Sequence, residues 1–320
     1  SFIKSPIDAE LEDFRKLFDS SLSSSNFLLN NVIAHIRQRN GKMMRPILVL
    51  LVARLYGAIR PATFHAAVSL ELLHTASLVH DDVVDESTER RGQLSVNAVF
   101  NNKVAVLAGD FLLATSLVHA GKTMSHEIIS VVSCLGQDLA DGELLQLSNV
   151  SNPHFSEEIY FDVIRKKTAA LFAACTKSAA LSVNASDEEA EFSRLFGEYI
   201  GICFQIKDDI FDYFESKEIG KPTGNDMLEG KLTLPVLYAL NSTNSTWAQE
   251  IAVKVKEGIA TPDEIGRLVD FTKSNGGIEY AVKMMKLYKG KALDLLHSLP
   301  PSEVCTALEA YLDYVVDRDK

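Results

Sequence analysis

The chain has 320 residues, 47% hydrophobic and 23% charged, enough apolar material for a sizeable core in one large domain or two ordinary ones. Its formal net charge is −11 and no Lys/Arg block forms a concentrated basic patch, which excludes nucleic acid as an expected partner. Arg54 interrupts the apolar run from Pro46 to Gly57 and Asp110 the run from Val104 to Val118. No run therefore reaches the roughly 18 uninterrupted residues of a membrane span, and no transmembrane segment is expected.

Ser1 to Asp13 lack the basic region and apolar core of a signal peptide, so a cytoplasmic location is expected. Cys134, Cys175, Cys203 and Cys305 are widely spaced, with no C-x-x-C pair. They read as small buried hydrophobes in a reducing compartment rather than a zinc or redox site.

In chain order, the first helical signal is Ile7, Leu11, Phe14 and Phe18, spaced by three or four. Breaks at Asn40-Gly41 and at Gly57 to Pro61 follow. Ala66 to Val79 is apolar on most faces and carries the helical set Leu70, Leu73, Ser77 and His80. Breaks at Arg90 to Gly92 and Ser151 to Pro153 precede a second apolar helix, Thr168 to Val183. Leu195, Tyr199, Ile202 and Ile206 repeat the helical spacing. The remaining breaks are Lys221 to Gly224, Asn241 to Ser245, Ser274 to Gly277 and Leu299 to Ser302. Strand signals are nearly absent, so about ten helices joined by short loops are expected. No long linker appears, and residues 1–320 read as one all-α domain, a large bundle with apolar helices inside it.

Two acid clusters carry the chemistry. His80-Asp81-Asp82-Val83-Val84-Asp85 continues the Ala66 to Val79 helix. Asp81 and Asp85 share a face, with Asp82 turned about 100° away. Three carboxylates at a helix C-terminus, where the dipole is negative, conflict unless a divalent cation joins them, and oxygen-only donors select Mg²⁺. Asp208, Asp209 and Asp212 repeat the pattern after the apolar stretch Phe196 to Phe204, and the two clusters could face each other across the bundle core. Mg²⁺ prefers a few carboxylates, waters and substrate phosphates, so a doubled site suggests ions bridging a diphosphate. Local cations suit such an anionic substrate: Lys42 and Arg45, Arg90 and Arg91, Lys166 and Lys167, Lys221, and Lys231.

From about Asn40 to Leu240 the sequence resembles the trans-isoprenyl diphosphate synthases, the octaprenyl-type members above all. The resemblance rests on G-K-x-x-R-P, L-L-H-T-A-S-L-V-H-D-D-V-V-D, R-R-G, K-T, F-Q-I-x-D-D-I-x-D and G-K in order. Asn40 and Lys207 depart from the usual pattern without removing a carboxylate. It implies a helical fold around a central substrate cavity, a homodimer, and about three Mg²⁺ ions once diphosphate is bound. Asp81, Asp82, Asp85, Asp208, Asp209 and Asp212 would hold those ions on an allylic diphosphate. Arg90, Lys167, Lys231 and Lys221 would contact that diphosphate, and Lys42, Arg45, His74 and Arg91 that of isopentenyl diphosphate. His74 lies two helical turns before Asp81, on the same face. Thr168 and Gln205 would present oxygens to the developing cation.

Metals and cations would stabilise the leaving diphosphate, the double bond of isopentenyl diphosphate would attack the allylic cation, and the departed diphosphate would take the proton. In this family bulky aromatics one turn before the first cluster block chain growth. Here those positions are Ala76 and Ser77, with Phe111 and Phe172 as candidates for a deeper floor. The first cluster also lacks the two extra residues common in short-chain bacterial members. The expected product is an all-trans polyprenyl diphosphate longer than C20, a quinone side-chain precursor. The alternatives are a short-chain farnesyl or geranylgeranyl synthase, a non-catalytic subunit of a heteromeric synthase, and a terpene cyclase. The cyclase reading has no use for the second symmetric cluster. The stretch from Asn241 onward shows no chemistry.

Overall fold

Short polar side chains start many of the helices in this chain: Asn26, Ser95, Asn101, Ser156, Ser245 and Thr261 each accept from a first-turn amide. The computed structural model describes residues 2–38, 41–90, 92–215 and 223–319. Arg91 and Lys221 lie outside the described residues.

In chain order the helices begin with α1 (Asp8–Ser21), α2 (Phe27–Arg37), α3 (Met44–Tyr56) and α4 (Pro61–Val84). A two-stranded antiparallel hairpin, β1 (Glu89–Arg90) and β2 (Gln93–Leu94), pairs Arg90 with Gln93. There follow α5 (Val96–Val99), α6 (Asn102–Lys122), α7 (His126–Ser148), α8 (Glu157–Ile164), α9 (Ala170–Ser182) and α10 (Asp187–Phe211). The last are α11 (Asn225–Leu228), α12 (Leu234–Asn241), α13 (Thr246–Lys256), α14 (Pro262–Ser274), α15 (Gly277–His297) and α16 (Glu303–Asp317). The chain is all-α, as expected. The breaks at Gly41, Gly57, Gly92, Pro153, Gly224, Gly276 and Pro300 fall between elements, while Pro61 and Gly277 open α4 and α15. The ones the sequence hides are marked by caps. Asn26 accepts from the Leu29 amide at 3.0 Å, and Thr261 and Glu264 form a reciprocal capping box.

The described residues group into two compact units whose boundaries fall inside helices, not at linkers. One comprises Ser1–Gln137, Leu171–Glu198 and Leu295–Tyr311; the other comprises Asp138–Ala170, Tyr199–Asp294 and Leu312–Lys320.

In the first unit, α3 is buried on all faces from Ile47 to Ala53, matching its uninterrupted apolar run. The α4 helix packs along α6 through small residues that bring the backbones close. Ser69 Oγ donates to the Ser116 carbonyl at 2.8 Å and Ser116 Oγ to the Ser69 carbonyl at 2.7 Å. His80 lies over Gly109, where a Cβ would stand 2.3 Å from the ring. At the far end His65 Nδ1 and His119 Nδ1 are 3.0 Å apart, so one must donate and the other accept. Burial, then His65 and Lys122, pulls the His119 imidazole down to about 4. Its folded value lies below the unfolded one, so the unfolded chain binds more protons between pH 6.5 and about 4. This contribution to stability is complete above pH 6.5 and lost as pH falls through that window. His119→Gln is therefore expected to flatten the fall in Tm between pH 7 and 4.5; melts as steep as the parent's would contradict it.

By length and composition α6 could cross a membrane, which the sequence reading did not expect. Only 39% of its most apolar stretch is buried. The packed face accounts for part of that apolarity. Val106, Leu107, Leu117 and Val118 remain exposed, Leu107 at 67% and Val118 at 55%.

The core of the second unit gathers Tyr213, Val236, Leu240, Ile251, Val255, Leu268 and Phe271. The segment after Asn241, silent as to chemistry, thus supplies the packing on which the end of α10 rests. Tyr213, directly after Asp212, is buried and its hydroxyl meets Thr233 Oγ1 at 3.3 Å. Gly224 has φ +81°, and a Cβ there would stand 2.6 Å from Ile265 Cγ2, so both conformation and space require glycine.

Candidate active site

In the first unit α4 is largely apolar from Ala66 to Val79, about four turns, and ends at the acid cluster. Asp85 caps it, its amide donating to the Asp81 carbonyl at 2.8 Å, which stacks Asp81 and Asp85 one turn apart. Glu86, at φ 53°, turns the chain out of the helix. Asp81 is half-buried and Asp85 exposed, whereas Asp82 is buried. The hairpin returns Arg90 onto Asp82. Its Nε and Nη2 donate to Asp82 Oδ1 at 3.0 and 2.8 Å, and Nε also reaches Oδ2 at 3.2 Å. Both oxygens of the middle aspartate are thus engaged by a guanidinium.

Arg45 sits in the first turn of α3. Its Nε and Nη2 grip both oxygens of Glu71 at 3.0 and 3.1 Å. Tyr311 from α16 donates to the Met44 carbonyl at 2.8 Å, and Met43 stands at φ 55° just before the helix. Lys42 is exposed and His74 half-buried on α4. Ala76 is buried, and Ser77 turns its hydroxyl onto the His74 carbonyl at 2.7 Å. Phe111 is half-buried on α6 and Phe172 buried on α9.

In the second unit the K-T pair lies on a π-helical turn, Arg165–Ala169, that joins α8 to α9. Such turns carry one extra residue and recur at functional sites. Here neighbouring side chains go to different helices. Lys167 Nζ donates to Glu143 Oε2 at 2.5 Å and Gln146 Oε1 at 3.0 Å on α7, whereas Thr168 Oγ1 donates to Gln205 Oε1 at 2.7 Å on α10. Gln205 Nε2 donates onward to Asp209 Oδ1 at 2.8 Å, and the Tyr160 hydroxyl donates to Asp209 Oδ2. Asp208 is exposed; Asp212 is buried, with Oδ2 accepting the Asp226 amide at 3.0 Å. The Asp226 carbonyl in turn accepts the Lys231 amide at 2.8 Å, and Lys231 Nζ lies 3.4 Å from Glu229. Lys207 covers the Phe211 ring at 5.2 Å, away from the carboxylates it interrupts in sequence.

Sequence reasoning missed Glu71, Glu143, Gln146, Tyr160 and Asp226. Only Asp226 carries a local signal, an acid set between the glycine-lysine pairs.

The donor set fits Mg²⁺. Burial, with Asp208 and Asp212 nearby, pushes the Asp209 carboxyl up to about 7 against the donation from Tyr160 and Gln205. Burial and then Asp212, Asp209 and Asp208 raise Asp226 well above the ordinary carboxylate range. Carboxylates gathered this way conflict electrostatically, and a hard divalent cation relieves the conflict. Among the described residues no three acidic, His or Cys side chains close around one point. Mg²⁺ accepts so open a site because it keeps waters and takes phosphate oxygens.

Residues 26–271 match the polyprenyl synthetase family model. The chain is 34% identical to the octaprenyl diphosphate synthase of Haemophilus influenzae, over 98% of this chain and 95% of that one. It superposes with TM-score 0.89 on a crystal structure of geranylgeranyl pyrophosphate synthase from Bacteroides thetaiotaomicron, at 70% identity over 99% of both chains. With polyprenyl synthase from Caulobacter crescentus, complexed with calcium and isoprenyl diphosphate, the TM-score is 0.91 at 30% identity over 100% and 98% of the chains. The helical fold and the match over most of the chain define an isoprenoid-synthase-type enzyme. The chain belongs to the polyprenyl synthetase family, and it is a transferase of prenyl groups.

Proposed function

We propose that the enzyme condenses isopentenyl diphosphate with an allylic diphosphate, with Mg²⁺, to give an all-trans polyprenyl diphosphate longer than C20. The observation that carries this reading is the repeated arrangement of an acid cluster at a helix end with a cation against it: Arg90 on Asp82 in the first unit, and Lys231 next to the Asp226 that meets Asp212 in the second. The family match takes in parts of both units, and the whole chain works as one prenyl-transfer domain.

Asp81, Asp85, Asp208 and Asp212 would hold the ions, while Asp82 and Asp209, engaged by Arg90 and by Tyr160 with Gln205, orient the clusters. Bound Mg²⁺ supplies charge neutralisation of the leaving diphosphate. Arg90, Lys167 and Lys231, with Lys221, hold the allylic diphosphate. Lys42, Arg45 and His74, with Arg91, hold isopentenyl diphosphate. Thr168 spends its proton on Gln205, which leaves its lone pairs for the developing allylic cation. The π-electrons of isopentenyl diphosphate form the new carbon–carbon bond, and the departed diphosphate takes the proton. No side chain is needed as a general base.

Ala76 is small, and a growing chain would meet no bulky side chain at that position, one turn below Asp81. A C20 product is the second reading, favoured by the geranylgeranyl name of the 70%-identical protein. Incubation with labelled isopentenyl diphosphate and geranyl, farnesyl or geranylgeranyl diphosphate, with and without Mg²⁺, decides between them. Linear products beyond C20, shortened by Ala76→Phe, are expected. Products that stop at C20 would establish the second reading. No incorporation would indicate a partner subunit, and cyclic hydrocarbon a cyclase.

The enzyme is expected to be a homodimer. Leu107, Ala114 and Val118 fall on one side of α6, with Val106 and Leu117 beside them, an apolar stripe that a second copy would cover. Leu107→Glu with Val118→Glu is expected to give a monomer by light scattering, and a parent that is already monomeric would rule the interface out. Cys175, Cys203 and Cys305 are buried as expected, whereas Cys134 is exposed on α7, against the expectation; burial pushes the Cys175 and Cys203 thiols up to about 12, and the free thiols suit a cytoplasmic location.

A further inference from the structure

We propose that Glu143 and Gln146 of α7 are positioning residues that hold the Lys167 ammonium ready for the allylic diphosphate; this rests on the reading of Lys167 given above. An ammonium has three N–H donors. Glu143 Oε2, at 2.5 Å, and Gln146 Oε1, at 3.0 Å, take two of them and leave the third to point at a phosphate oxygen. Glu143 and Gln146 are one turn apart and address the same atom from one side of α7. The Glu143 side chain is only 11% exposed, a burial that a carboxylate tolerates when a cation meets it.

Two further features are built around the same lysine. Gly142 stands inside α7, where glycine costs about 1 kcal/mol against alanine. A Cβ there would stand 2.8 Å from Lys167 Cγ and 2.9 Å from Lys166 Cβ, so the lysine stem lies directly against the glycine backbone. The π turn, Arg165–Ala169, sends Lys167 to α7 while Thr168 goes to Gln205 on α10. A flexible four-carbon side chain is thereby held at its stem, by the bare glycine, and at its tip, by two acceptors. Without these the ammonium would have to be ordered by the substrate at the moment of binding.

The test uses the full-length enzyme and inorganic pyrophosphate with Mg²⁺ as the probe. Dissociation constants are measured by calorimetry for the parent, Glu143→Ala, Glu143→Gln, Lys167→Ala and the Glu143→Ala/Lys167→Ala double variant. Loss of one charge-assisted contact predicts about a tenfold weaker pyrophosphate affinity for Glu143→Ala, with a smaller loss for Glu143→Gln. The double variant should bind no more weakly than Lys167→Ala, because Glu143 acts through that lysine. In steady-state assays Glu143→Ala should raise KM for the allylic starter and leave KM for isopentenyl diphosphate unchanged. Unchanged pyrophosphate affinity, or losses that add in the double variant, would overturn the assignment while leaving the prenyl-transfer reading intact. A parent that binds no pyrophosphate with Mg²⁺ would overturn both. Should Glu143→Ala fail to fold, Glu143→Gln and Gly142→Ala decide by the same readout, since each must weaken pyrophosphate binding.

Discussion

Asp81→Ala is expected to lower the rate of prenyl transfer by roughly a thousandfold while leaving the fold intact. Charge stabilisation by a bound divalent ion is worth several kcal/mol in the transition state, and each 1.36 kcal/mol is tenfold in rate. Asp81 is half-buried at the end of α4, outside the packed core, so its removal should cost little stability. Asp208, exposed on the last turn of α10, should behave alike. Asp82 should differ. Its carboxylate is 4% exposed and receives Arg90, so Asp82→Ala leaves a guanidinium without its acceptor and lowers Tm as well as rate. Initial rates with labelled isopentenyl diphosphate across a Mg²⁺ series, beside thermal melts, separate the two behaviours. Asp81→Ala retaining more than about a tenth of the parent rate, with an unshifted Mg²⁺ curve, would remove Asp81 from the ion-binding set.

That division between Asp81 and Asp82 shows where the sequence stops being readable. The spacing of four that stacks Asp81 on Asp85 is local, set by the helical repeat, and was visible at once. The ion pair of Asp82 is not local, because Arg90 reaches it only after the hairpin reverses the chain. The same holds across longer separations. Tyr160 lies 49 residues from Asp209, and Lys167 lies 24 from Glu143. Nothing in either segment alone encodes the meeting. Helix ends divide in the same manner: glycine and proline act on their own backbone and were read, while Asn26 and Thr261 act through an amide three residues on. The π turn left no mark on the sequence: Arg165 to Ala169 carries no glycine or proline, and the partners of Lys167 and Thr168 lie on other helices. Lys207, which looked like a departure inside the second cluster, is turned toward Phe211 and the chain end. Burial and then Arg318 lower its ammonium below the usual lysine range.

Glu71→Ala should destabilise the protein by about 3 kcal/mol and raise KM for isopentenyl diphosphate, with KM for the allylic starter unchanged. Arg45 and Glu71 are 19% and 18% exposed and joined by two hydrogen bonds, at 3.0 and 3.1 Å. That geometry uses the Nε–Nη2 edge of the guanidinium, and in the proposed reading Nη1 is the donor that meets a diphosphate oxygen. Removing Glu71 therefore does two separable things. It strands a partly buried cation, which appears in the melting temperature. It also frees the side chain to rotate, which appears in the affinity for the second substrate alone. Glu71→Gln keeps the shape and one acceptor but loses the charge, so it should recover most of the stability and only part of the affinity. Kinetics with each substrate varied in turn, at saturating Mg²⁺, read the difference. Equal rises in both KM values would mean that Glu71 supports the fold generally. A rise confined to isopentenyl diphosphate would place Arg45 at that substrate's diphosphate, where its fixed fork, held by Glu71 from α4, sets the orientation of the attacking double bond.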